Sequence, residues 1–197
     1  VKVLVACEFS GIVRDAFCEL GHDAWSCDLL TTDKPGNHIQ GDVLEILNDG
    51  WDMMIAHPPC THLAVSGARW FKEKLLQQDE ALRFVRMLMN APIHKICIEN
   101  PVSVISTKIR RPDQIIQPYQ FGHRSKKTTC LWLKNLPKLK ATDIVEPDIY
   151  ICKNGKRFSR DYMVTLQAGQ SRGHLRSITY LGIAKAMAEQ WGGYNVT

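Results

Sequence analysis

Apolar positions in the first half of the chain fall into short runs, each closed by small or polar residues. Residues 1–6, Val1-Lys2-Val3-Leu4-Val5-Ala6, form a β-branched run that closes at Ser10-Gly11, after which Val13, Ala16, Phe17 and Leu20 recur at helical spacing up to Gly21. That pattern predicts strand, turn and helix. A second apolar run, 22–27, stops at Asp28; beyond a loop at 31–37, a short segment closes at Gly41-Asp42-Val43. Residues 51–56 are apolar and bounded by His57-Pro58-Pro59, as expected of a buried central strand.

From Lys72 to Asn90, Leu75, Leu76, Leu82, Phe84, Val85, Leu88 and Met89 alternate with charges, which predicts the longest helix. Residues 93–98 return to strand and stop at Glu99-Asn100-Pro101. Further on, 114–121 and 129–133 read as a hairpin joined by the basic turn 122–128, and 137–175 is polar and mixed in period, an irregular insertion. Leu181, Ala184, Met187, Ala188 and Trp191 place a closing amphipathic helix over 178–191.

Strands alternating with helices predict an α/β fold: a mostly parallel sheet with helices on both faces, one domain over 1–197 with 137–175 as a small insertion. Ligands of such sheets gather at the carboxyl ends of the strands. Ser10-Gly11, Asp28, Asp42, Pro58 to Cys60 and Glu99-Asn100 all stand at those predicted ends.

Composition narrows the picture. An apolar content of 45% over 197 residues is enough for a real core and argues against a disordered or fibrous chain. The net charge of +5 owes much to Lys108, Arg110, Arg111, Arg124, Lys126, Lys127, Lys134, Lys138 and Lys140, a basic second half that fits a polyanionic partner or a solvated face. Seven cysteines without CxxC spacing read as reduced thiols. With no leader pattern and no long apolar run, a cytoplasmic protein is expected.

Candidate chemistry lies at the strand ends. The turn Phe9-Ser10-Gly11 offers backbone N–H groups to a nucleotide-like cofactor, Asp28 can bond a ribose hydroxyl, and Asp42 can reach an exocyclic amine. Each is also an ordinary turn or cap residue when taken alone.

In His57-Pro58-Pro59-Cys60 a rigid diproline would fix the direction of the cysteine. A thiolate can add to carbon 6 of a pyrimidine and so make carbon 5 nucleophilic, provided a carboxyl group serves ring nitrogen N3. Glu99, ending the strand after the long helix, would then lie beside Cys60. His57, Cys60 and His62 could instead ligate zinc, but no fourth ligand has suitable spacing, so no metal is expected.

These residues resemble the cytosine-C5 DNA methyltransferases, most closely the short phage-borne members. Phe9-Ser10-Gly11 resembles their first cofactor motif, Asp28 their ribose-binding acid, Gly41-Asp42-Val43 their adenine-contacting segment, Pro58-Pro59-Cys60 with Ser66-Gly67 their nucleophile loop, and Glu99-Asn100 the pair whose Glu holds N3. Phe121-Gly122, the basic turn and 129–133 resemble the segment with their catalytic arginines, and the last helix their closing motif. The resemblance implies a Rossmann-like fold, S-adenosylmethionine bound by Phe9, Ser10, Gly11, Asp28, Asp42, Val43 and Pro58, and transfer of a methyl group to cytosine in DNA by Cys60 and Glu99.

The sequence departs from the family at four places. Val13 and Arg14 stand where further glycines are usual, and Thr61 stands where Gln is common. Arg124-Ser125-Lys126-Lys127 replaces the arginine motif, leaving Arg124 and Lys127 as candidates for the cytosine O2 contact, and only 137–175 is available for target recognition. A free cytosine nucleotide as substrate, or a non-catalytic binding module, are the other readings. Amino-group methyltransferases carry a different pair of residues around the prolines.

Overall fold

The computed structural model describes residues 1–67, 73–152, 154–159 and 172–193. Its centre is a seven-stranded sheet built from β1 (Lys2–Ala6), β2 (Asp23–Asp28), β3 (His38–Gln40), β4 (Met53–Ala56), β5 (Lys95–Pro101), β6 (Gln114–Ile116) and β7 (Thr129–Lys134), in the order β3-β2-β1-β4-β5-β7-β6. Strands β1 to β5 pair in parallel, while β7 runs antiparallel to both β5 and β6. The expected Rossmann-like α/β fold is therefore observed. The chain builds outward from β1 first on one side and then on the other, so the crevice of the switch point opens at the carboxyl ends of β1 and β4.

Period-two alternation assigns the two faces. Val3, Val5, Met53, Ile55, Cys97 and Leu131 face one way and meet Val13, Ala16 and Phe17 of α1 (Ile12–Glu19) and Ile183, Met187 and Trp191 of α5 (Leu181–Gly192). Leu4, Ala6, Met54, Ala56, Ile96, Ile98 and Trp132 face the other and meet Leu82, Val85 and Leu88 of α2 (Leu75–Met89) and Ile105 of α3 (Ile105–Lys108). Each fully buried Leu, Ile or Val contributes about 1.5–3 kcal/mol over its exposed state.

Several boundaries differ from the sequence reading. Residues 99–101 belong to β5 rather than following it, because β7 pairs with them down to Pro101 opposite Thr129. The strand expected over 114–121 is cut to Gln114–Ile116, since Pro118 opens a 3-10 turn over Pro118–Gln120 and brings no N–H to a ladder. Leu75 and Leu76, two of the apolar positions from which the longest helix was expected, are exposed at the start of α2. Residues 68–72, where that helix was expected to begin, lie outside the described residues.

Within 137–175, β8 (Ile149–Ile151) and β9 (Arg157–Ser159) form a separate antiparallel pair, and α4 (Arg172–Ser177) begins. No described helix is long and apolar enough to cross a membrane.

Candidate active site

At the ends of β1 and β2 the chain builds an acidic crevice. Gly11, at φ +70°, ends the first turn in a conformation that suits glycine, and the Arg14 guanidinium fills the space where a Cβ would lie. Arg14 is fully buried. It bonds Ser26 Oγ at 3.2 Å, Thr32 Oγ1 at 3.3 Å and the Pro35 carbonyl at 3.1 Å, and so ties the loop after β2 beneath the turn.

The first N–H groups of α1 are occupied from within. Glu8 accepts from Val13 N at 2.7 Å and Arg14 N at 3.2 Å. The N–H groups of Phe9, Ser10 and Gly11 make no hydrogen bond among the described residues. Asp28 Oδ1 accepts from Leu30 N and Asp42 Oδ1 from Leu44 N, which leaves each a second oxygen, and neither carboxylate has a cation partner among the described residues. Val43 is buried behind Asp42.

Cys7, which sequence reasoning passed over, stands at the end of β1 with φ 58°. Burial first, then the charges of Asp28, Cys27 and Asp42, push its thiol up to about 12. Free backbone donors beside two unpaired carboxylates fit a ligand that carries a carboxylate, hydroxyls and a positive charge, as S-adenosylmethionine does.

The ends of β4 and β5 carry the second half of the site. Ala56 is in register with Ile98, so His57 is level with Glu99, and alternation turns both toward the face of α1 and α5. Nδ1 of His57 lies 2.9 Å from Glu99 Oε2, and both side chains are largely buried. Burial acts to raise the Glu99 carboxyl, but the hydrogen bond from His57, the electrostatic pull of that ring and the Lys127 ammonium outweigh it, holding Glu99 below its ordinary value.

Asn100 donates from Nδ2 to the Pro58 carbonyl at 2.8 Å and clamps the diproline to β5. Pro58 is buried and Cys60 beyond it is exposed. The protein packed around the Cys60 thiol and the Glu99 carboxylate push it above its ordinary value, while Lys127 and Arg176 pull it down. The predicted pair Cys60 and Glu99 is thus close enough to share an electrostatic environment.

Of the two cationic candidates, Lys127 belongs to this cleft. Its Nζ donates to the Arg176 carbonyl at 2.7 Å and lies 5.8 Å from the centre of the Tyr180 ring. Arg124 instead pairs with Asp148 at 3.0 Å on the surface, and its charge is not among those acting on Cys60 or Glu99.

The basic turn is held by α5: Gly182 N donates to His123 Nε2 at 2.8 Å, and the Tyr180 hydroxyl bonds Ser125 Oγ at 3.0 Å. Arg176, on α4, was not anticipated, because the region between the last strands and the closing helix has no periodicity to place it. On the same helix His174 stacks on Phe9 with centroids 4.4 Å apart and bonds Asp33 at 2.9 Å, bringing α4 over the first turn.

The long basic stretch does not all serve this edge. Lys126 is exposed beside Lys127, whereas Lys134 bonds the carbonyls of Ala91 and Ile93 at the opposite end of β5. No group of three or more His, Cys, Asp or Glu among the described residues could hold a metal ion.

No protein-family model matches the chain, and no curated protein matches it. Among solved structures, one similar chain is an E. coli prophage-encoded protein provisionally named a DNA modification methyltransferase, at 15% identity and a TM-score of 0.43, covering 66% of this chain. The match spans 45% of that protein's length.

Proposed function

We propose that this protein transfers a methyl group from S-adenosylmethionine to carbon 5 of cytosine in DNA, with Cys60 as nucleophile and Glu99 at N3. The observation that carries this reading is the meeting, at neighbouring strand ends, of an exposed thiol on a diproline loop and a carboxylate anchored by His57 at 2.9 Å. Lys127 supplies positive charge that acts on both.

The cytosine must leave the base stack for Cys60 to reach it. Glu99, held as a carboxylate, favours the cytosine that carries a proton on N3, and that ring accepts the Cys60 thiolate at carbon 6. Pairing of N3–H with Glu99 also offsets the negative charge that opposes Cys60 ionisation, so base binding itself brings the thiol down toward its working state. Lys127 and Arg176 act in the same direction.

Addition of Sγ to carbon 6 moves the C5–C6 electron pair onto carbon 5, which would take the methyl group as its bond to the sulfonium sulfur of the cofactor breaks and leaves that electron pair on sulfur. Solvent water then takes the carbon 5 proton, Cys60 leaves as the thiolate, and N3 gives up its proton, which restores the neutral ring. The cofactor supplies the electrophilic methyl group, and the residues that would hold it are Phe9, Ser10 and Gly11 through their N–H groups, Asp28, Asp42 and Val43, with Pro58 walling the side toward Cys60. Lys127, rather than Arg124, is the candidate for the cytosine O2 contact. On this reading 1–197 is one catalytic domain and 137–175 its insertion.

The test is transfer of tritium from labelled S-adenosylmethionine to duplex DNA, single-stranded DNA and dCMP, with Cys60→Ala beside the native protein. Label recovered as 5-methylcytosine in DNA and lost in the variant is expected. Label only in dCMP moves the substrate to a free nucleotide, and no Cys60-dependent transfer overturns the reading.

A further inference from the structure

The cytosine chemistry proposed above leaves His57 without a task, yet this residue is held at both its backbone and its side chain. It stands one step past the last residue of β4, and its backbone N–H donates to the Ala6 carbonyl at 2.9 Å, which ties the loop to β1. Its side chain is 9% exposed, and its Nε2 is enclosed without a hydrogen-bond partner.

A carboxylate only accepts, so the hydrogen in the 2.9 Å contact belongs to Nδ1 and the bond goes to Oε2 of Glu99. Oε1 makes no hydrogen bond among the described residues and is not one of the enclosed unpaired atoms. The Glu99 side chain keeps 16% of its surface. One oxygen of the carboxylate is therefore spent inward and the other is left to the cleft.

We propose that His57 is a positioning residue for the cytosine reaction: by donating from Nδ1 it pins Oε2 of Glu99 and presents Oε1, in one fixed orientation, to the N3 edge of the base. The inference rests on the cytosine reading. Its physical basis is that a carboxylate at a strand end, without such a partner, rotates between orientations of which few place an oxygen on N3 in the plane of the ring. Catalytic groups lose much of their effect when misplaced by about 1 Å. His57 touches neither base nor cofactor in this scheme and acts through Glu99.

Two variants and one spectrum test it. His57→Asn places an amide N–H near the position of Nδ1, and His57→Ala removes the donor. With native folding checked by circular dichroism, His57→Ala is expected to lower kcat by about 10²-fold while KM for DNA stays within about threefold, and His57→Asn to recover at least about tenfold of that loss.

In the unliganded wild-type protein, ¹⁵N-histidine NMR is expected to show His57 as the Nδ1–H tautomer, a preference that disappears in Glu99→Ala. If the wild type methylates cytosine and His57→Ala keeps kcat within about twofold, the positioning role is overturned while the function stands. Equal impairment of both variants, or an Nε2–H tautomer in the wild type, also overturns it. A wild-type protein with no Cys60-dependent transfer overturns the cytosine reading, and this assignment falls with it. Should His57→Ala fail to fold, the His57→Asn kinetics and the tautomer decide.

Discussion

The two halves of the carboxyl edge handle negative charge in opposite ways. At the end of β2 and just past β3, Asp28 and Asp42 have turn N–H groups for company but no cation among the described residues, and they add to the burial that pushes the Cys7 thiol up to about 12. At the ends of β4 and β5, Glu99 is anchored by His57 and further compensated by Lys127. The first arrangement leaves its charge for a ligand to neutralise. The second has settled most of its charge internally and keeps one oxygen for a directed contact. On the proposed function, the contrast separates a binding crevice from a reacting cleft within a single sheet edge.

The largest effect that could break this comparison belongs to Cys60. Cys60→Ser is expected to lower methyl transfer by at least about 10³-fold while cofactor affinity, read by calorimetry, stays unchanged. Parallel loss of cofactor binding would mean that the two halves are not separate.

Glu99→Gln should give two effects of opposite sign. Transfer falls by about 10²-fold or more, yet the Cys60 thiol, freed from the neighbouring carboxylate, ionises at lower pH. Iodoacetamide alkylation followed against pH reads the second effect. In the native protein that rate should climb only in the alkaline range, because Cys60 lies above the ordinary thiol value. Lys127→Met shifts the alkylation profile the other way and lowers transfer by about tenfold or more, whereas Arg124→Met, which removes only the surface pair with Asp148, stays within about twofold.

Asp28→Asn and Asp42→Asn sharpen the other half. Each is expected to weaken S-adenosylmethionine binding by about tenfold and to lower the Cys7 thiol from its value near 12, with Cys60 alkylation unmoved.

The smallest effect is on stability. Glu99 has its folded carboxyl below the ordinary value of 4.5, so its pairing stabilises the protein above that value and the contribution is lost as pH falls through the folded one. Urea denaturation at pH 7 should show Glu99→Gln less stable by about 1–2 kcal/mol, a difference that shrinks at pH 3.

Some departures from the sequence expectations have local physical causes. The apolar runs placed the central strands because burial on both faces leaves no other use for β-branched and sulfur-containing side chains in so short a stretch, and Gly11 marked its turn because few other residues accept that φ. Strand β5 ran past its apolar run because β7 pairs with Glu99, Asn100 and Pro101, and the strand after Gln114 stopped at Pro118. Neither a distant pairing partner nor the reach of a buried arginine is written in local periodicity.

By itself the sequence determined that a parallel α/β sheet would gather Gly11, Asp28, Asp42, Cys60 and Glu99 at one edge, since a strand's end is a local property and parallel strands share their polarity. Only the tertiary structure decided which charges meet there: that His57 donates to Glu99, that the charges of Lys127 and Arg176 act on the Cys60 thiol while Arg124 turns to Asp148, and that the Arg14 guanidinium lies against Gly11 and Gly36. Electrostatic pairing depends on distances of a few ångströms between elements far apart in the chain, and strand register, helix packing and loop closure have to be in place before those distances exist.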